Sequence, residues 1–111
     1  MSEKIKLNVE PMLSIAFGLI SGTYAAIGSF EFPSSIIYFQ NLTDAAMIIS
    51  FDGSTDAFPM PVNGFFLLDI AANASSPEGL YIQLGQVFWV KQLAGAPTTG
   101  SVYVTSFYGK N

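Results

Sequence analysis

Apolar and polar residues change places along this chain mostly with a period of two, the signature of half-buried strands. The pattern is clearest over 36–70 (IIYFQNLTDAAMIISFDGSTDAFPMPVNGFFLLDI), where β-branched and aromatic runs near 35–41, 45–51, 57–62 and 65–71 are separated by turn signals. Asn63-Gly64 predicts a two-residue type I′ hairpin, which needs φ > 0 at both residues. Asp52-Gly53 opens a slightly longer loop. A tight turn at 63–64 would set Val62 opposite Phe65, Pro61 opposite Phe66, Met60 opposite Leu67 and Pro59 opposite Leu68. The N–H positions of 58, 60 and 62 then face the partner strand and those of 59 and 61 face away. Both of the latter are prolines, so the pattern predicts a meander with one edge closed to further strands.

The flanking segments extend the same reading. Ile5, Leu7 and Val9 alternate with Lys6, Asn8 and Glu10, which predicts an extended N-terminal arm over 1–11 ending at Pro11. Residues 12–30 carry no charge, and Gly18 and Gly22 have the spacing of a small-residue helix interface. Ser14, Ser21, Thr23, Ser29 and three glycines argue against a membrane span, and Glu3 and Glu10 dilute the basic end that a secretion signal needs. Two strands over 13–20 and 23–30, turning near Ser21-Gly22, are the expectation. Further strands are expected at 80–84, 86–93 and 101–108, with loops at 73–79 and 94–100. Short strands punctuated by Gly and Pro predict an all-β chain. It is read as a single β-sandwich or jelly-roll domain of eight to nine short antiparallel strands over 12–111, with the arm attached.

Composition changes this picture in one respect. Of the 111 residues, 50% are apolar, 14% aromatic and only 11% charged, against about 25% charged in an ordinary soluble domain. Several strands are apolar on both faces: Val102 and Val104 oppose Tyr103 and Phe107, and Val87 and Trp89 oppose Phe88 and Val90. A sandwich wetted on its outer face would be polar there. The second face therefore points to an aromatic-rich interface with other chains, a homo-oligomer with a dimer favoured. The candidate contact residues are Ile5, Leu7 and Val9 in the arm, Phe66, Leu68 and Tyr103 on the sheet, and Phe107 and Tyr108 in the tail.

Chemistry is sparse. With no histidine or cysteine, catalytic triads, thiolates and His- or Cys-based metal sites cannot be assembled. A net charge of −4 without arginine lacks the basic footprint of a nucleic-acid binder. Paired carboxylates are the remaining catalytic option, but Asp44, Asp52 and Asp56 fall in turns, where Asp bonds local backbone, and Asp69 stands alone in a strand. The reading is a non-enzyme with no cofactor. The 52–56 segment DGSTD offers oxygens to a hard cation but fits no established calcium loop, so no metal site is expected. Asn41-Leu42-Thr43 and Asn73-Ala74-Ser75 match glycosylation sequons without a secretion signal. Trp89, Tyr81, Tyr103 and Tyr108 are candidates for a sugar-stacking platform, but core and interface are the expected homes for such rings.

The runs FQNLTDAAMIISFDGSTD, FPMPVNGFFLLDI, QVFWVK and GSVYVTSFYGK resemble the small β-sandwich virion proteins of tailed bacteriophages, in particular the capsid cement or staple proteins of epsilon15-like podoviruses. The resemblance covers most of 35–110 and rests on strand-and-turn pattern. It implies a jelly-roll head-decoration subunit on the outer capsid surface of the virion, self-associating and clamping the phage major capsid protein, with no catalytic residues, no nucleic acid and no membrane as partner. A neck or tail ring component, or a carbohydrate-binding module, would share much of the same pattern.

Overall fold

The computed structural model describes residues 6–31, 36–69 and 85–110. The described residues are all-β and form two antiparallel sheets. The strands are β1 (Lys6–Val9), β2 (Leu13–Ala16), β3 (Ala25–Gly28), β4 (Ile36–Asn41), β5 (Met47–Ser50), β6 (Phe58–Met60), β7 (Phe65–Asp69), β8 (Phe88–Gln92) and β9 (Ser101–Lys110), with one 3₁₀ turn at Phe17–Leu19. Sheet A runs β1-β9-β4-β7, with β2 also paired to β9, and sheet B runs β3-β8-β5-β6. The orders 2-9-4-7 and 3-8-5-6 are those of an eight-stranded jelly roll, two Greek keys wrapped around one core. The strand expected at 80–84 lies outside the described residues.

The β1 and β2 strands lie end to end along β9, registering with residues 107–110 and 101–104 respectively. The expected free arm is thus, from Lys6 to Val9, a strand of the domain's own sheet. Pro11 makes the break between β1 and β2. Glu10 secures it, donating its N–H to the Ser106 carbonyl at 3.1 Å and accepting the Glu31 N–H on Oε1 at 2.9 Å.

The expected meander is corrected. Residues 13–16 and 25–28 belong to different sheets, as do β4 and β5, and as do β6 and β7. Among the described strands, the hairpin between consecutive strands is β5–β6, across the Asp52-Gly53 loop. At Asn63-Gly64 the Gly64 N–H bonds the Pro61 carbonyl at 2.8 Å, and Asn63 alone has φ > 0, at 58°. That is a four-residue turn with its left-handed residue in third place, not a type I′ hairpin. It carries the chain from sheet B to sheet A. Gly64 is required because a Cβ there would sit 2.7 Å from Pro61 Cδ.

The proline parity nevertheless holds, with a different partner. Leu93 N–H bonds the Ala46 carbonyl at 3.0 Å, in the same register that sets Met47 opposite Gln92. This phase turns the backbone groups of Ile48 and Ser50 to β8 and those of Met47 and Ile49 to β6. Phe58 and Met60 therefore bond β5, and Pro59 presents its missing donor outward. The outer edge of sheet B is closed there.

The core lies between the sheets. Ile15, Ile37, Phe39, Val102 and Val104 from sheet A meet Met47, Ile49, Met60, Phe88 and Val90 from sheet B, all of them buried. Phe39 is central: its ring meets Phe58 at 5.3 Å and Phe88 at 5.6 Å, both edge to face, the geometry that ring quadrupoles favour.

A buried polar node joins the sheets at one end. Asn41, the last residue of β4, is 0% exposed. Its Nδ2 lies 2.9 Å from the Ala45 carbonyl, 3.0 Å from that of Met60 and 3.1 Å from that of Pro61. Its Oδ1 accepts the Thr43 N–H at 3.0 Å and the Thr43 hydroxyl at 2.6 Å. Beside it, Gly100 (φ 89°) packs so closely that a Cβ would lie 2.0 Å from the Leu42 carbonyl oxygen. Replacing Asn41 with Ala strands these buried groups and is expected to cost about 3 kcal/mol, a fall in Tm of roughly 10 °C. Gly100→Ala should be worse, while Gly95→Ala, with nothing within 4 Å, should stay within about 0.5 kcal/mol of wild type. Thermal denaturation of the three variants checks this.

Candidate interaction surface

In an antiparallel pair, residues directly opposite share a face, so the strand registers sort sheet A into two sides. Ile37 lies opposite Leu68 and Phe39 opposite Phe66. Ile37 and Phe39 are fully buried, so Phe66 and Leu68 are on the inner side. The Phe66 ring meets Phe58 at 4.4 Å and closes the gap between the two sheets at that edge. The reading that put Phe66 and Leu68 on one outer face with Tyr103 is corrected accordingly. The two-residue alternation was right, but Phe66 and Leu68 are on the opposite side of the sheet from Tyr103.

The outer side consists of three rows. Val9 and Ile36 flank Phe107, Tyr38 lies between Leu67 and Thr105, and Gln40 lies between Phe65 and Tyr103, with Ser14 beyond Tyr103. Val9 is 57% exposed, Phe65 67% and Leu67 54%. Tyr38, Tyr103 and Phe107 are half-buried, and the Tyr38 and Phe65 rings lie 5.8 Å apart. Asp69, at the register position beyond Ile36, is the one charged residue in these rows, at the end of the first. The result is a largely aliphatic and aromatic sheet surface, interrupted by Gln40, Thr105 and Ser14.

Of the eight expected contact residues, Val9, Tyr103 and Phe107 are brought together on this face. Tyr108 follows the opposite alternation of β9, opposite Asn8. The Leu7 backbone pairs with Gly109, and Ile5 lies outside the described residues. Ile36, Tyr38, Phe65 and Leu67 were missed. Their alternation was legible in the sequence, but their side could be assigned only once β4 was known to pair with β7.

Sheet B is covered differently. Its 51–56 loop folds back over Trp89: a Cβ on Gly53 (φ 81°) would lie 3.1 Å from the indole. Asp52 builds the loop. Its Oδ1 accepts the Ser54 and Thr55 N–H groups at 2.8 and 2.7 Å and the Ser50 hydroxyl at 2.9 Å. The oxygens that suggested a cation site thus close a turn. Asp56 accepts the Tyr24 hydroxyl and pairs with Lys91 at 3.5 Å, and the Lys91 ammonium lies 4.7 Å from the centre of the Tyr24 ring. At the sandwich end, Asp44 accepts the Thr98 hydroxyl, the Thr98 N–H at 2.7 Å and the Thr99 N–H at 3.3 Å.

Two further readings of the sequence meet this geometry. Trp89 and Tyr103 lie on different sheets, so they share no stacking platform, and Tyr81 is outside the described residues. The Asn41 amide of the first sequon is buried and bonded on both of its ends, which leaves no access for a glycan on the folded domain. Asn73 lies outside the described residues. No described helix is long and apolar enough to cross a membrane. Comparison with protein-family models, with curated proteins and with solved structures gives no match.

Among the described groups, Asp44, Asp52 and Asp56 make stability depend on pH at the acid end. Hydrogen bonds hold their carboxyls below the ordinary value of 3.8: Thr98 for Asp44, the Thr55 and Ser54 N–H groups for Asp52, and Tyr24 for Asp56. Each binds a proton less readily folded than unfolded, so its contribution is complete above the unfolded value and fades as pH falls through the folded one. Tyr24 is shifted upward, from 10.0 to about 12, by burial and by Asp56. Its contribution is complete below 10 and fades as pH rises toward 12. With no histidine in the chain, stability should be nearly flat from about pH 5 to 9 and fall outside that range at both ends. Denaturant midpoints measured across pH test this, and a step near pH 6.5 would contradict it.

Proposed function

We propose that this chain is a virion structural protein of a tailed bacteriophage: a capsid cement or decoration subunit that clamps the phage major capsid protein on the outer surface of the head. The observation that carries the reading is the outer face of sheet A, where Val9, Tyr38, Phe65, Leu67, Tyr103 and Phe107 offer a mainly apolar surface with a single acidic position, Asp69, at its rim. A contiguous face of this kind costs a lone soluble domain solubility and suits a subunit that is covered in its working state. The jelly-roll topology and the patterned runs of the sequence support the same reading. Binding only to the assembled shell, such a subunit stabilises it by mass action, and weak contacts repeated over a lattice add through multivalency.

The test has two stages. A band near 11.9 kDa should appear in purified virions at close to parity with the major capsid protein. About one to two dozen copies would point instead to a neck or tail ring, and absence from virions would refute a structural role altogether. On expanded shells in vitro, the double variant Val9→Ser/Tyr103→Ser should fold normally and bind roughly tenfold or more weakly, since it withdraws two side chains worth about 1 kcal/mol or more each from the buried face. Binding at wild-type strength would remove this face from the interaction.

A further inference from the structure

The two strands that end the sheets at the same side of the sandwich, β6 and β7, are treated in opposite ways. The β6 edge is closed by Pro59. On β7, FFLLD, no proline or lysine guards the edge, and these are among the devices by which sheets avoid pairing with a further strand. The phase of its backbone is fixed by one bond. Asn41 N–H reaches the Gly64 carbonyl at 2.9 Å, in the register that sets Gln40 opposite Phe65. Bonded positions alternate from there, so Phe66 and Leu68 bond β4. The N–H and C=O groups of Phe65, Leu67 and Asp69 point away from it, toward a side where no described strand lies.

We propose that β7 pairs with β7 of a second copy, antiparallel about a two-fold axis through Leu67, so that sheet A runs continuously through a dimer. The sequence of the strand is self-complementary in that register. Leu67 meets its own copy, Phe66 meets Leu68, and Phe65 meets Asp69, so no like charges are opposed. All three outward positions become bonded pairs, giving about six new backbone hydrogen bonds. The pairing also accounts for Phe66, which faces the core side yet stays 38% exposed because the sheet ends at β7; the second copy's Leu68 would cover it. The closed β6 edge leaves sheet B unable to join in the same way, so association through these edges stops at two. The inference concerns the edge of sheet A and does not require the shell-binding role of its face.

Sedimentation equilibrium of the full chain tests it. Wild type should behave as a species of twice 11.9 kDa. Leu67→Pro removes only an outward N–H and should leave a folded monomer by circular dichroism, with dimer affinity lowered by about a hundredfold or more as the facing carbonyls lose their donors. Leu67→Lys, at a side chain 54% exposed in the single copy, should do the same by opposing two charges on the axis, and it decides the matter if the proline variant fails to fold. The Val9→Ser/Tyr103→Ser variant should remain dimeric. A wild type that is monomeric at high micromolar concentration, or a folded Leu67 variant as dimeric as wild type, would overturn the proposal.

Discussion

The Asn41 amide is the interaction on which the two-sheet arrangement turns. One side chain at the end of β4 satisfies carbonyls of the 42–46 loop, of β6 and of the Pro61 turn, and accepts from Thr43 in return. Apolar packing between sheets is strong but non-directional, and it would tolerate a slide of one sheet over the other. A buried amide is not tolerant, because every bond lost leaves a desolvated group. Asn41 therefore fixes where the end of sheet A meets the end of sheet B. Gly100 reinforces the same corner sterically, and Asp44 ties the 96–100 loop to it from outside.

From that corner the rest follows. With β4 registered between β7 and β9, Ile37 and Phe39 turn inward and Ile36, Tyr38 and Gln40 turn outward. The outward set recruits Phe65, Leu67, Tyr103 and Phe107 into one face. Sheet B has its own cover in the 51–56 loop over Trp89 and the Tyr24–Asp56–Lys91 cluster. The asymmetry is instructive: the protein carries charge and loop structure over one sheet and leaves an apolar surface on the other. The low charge content of the chain is thus concentrated in its effect, on one side and at one edge.

Much of this was legible in the sequence. The period of two, the Gly and Pro punctuation and the charge-poor composition specify an all-β sandwich with surface to be covered. The outward proline of β6 was legible as well, because N–H direction follows residue parity alone. Sequence pattern also showed that residues 65 and 67 share one side and 66 and 68 the other.

Which strands would pair, and so which side would be wet, could be decided only by the tertiary structure. Asn63-Gly64 has the composition of a hairpin turn, yet in a jelly roll the chain must cross between sheets there, and the turn adopts the one left-handed residue that the crossing needs. Local turn chemistry is worth on the order of 1 kcal/mol, whereas packing Phe39, Phe58, Phe66 and Phe88 together removes several large rings from water. Long-range burial therefore overrode the local preference. The sequence by itself determined the strand content, the alternation of faces and the closed edge of β6. The pairing order, and with it the exposed face and the open edge of β7, depended on contacts between residues far apart in the chain.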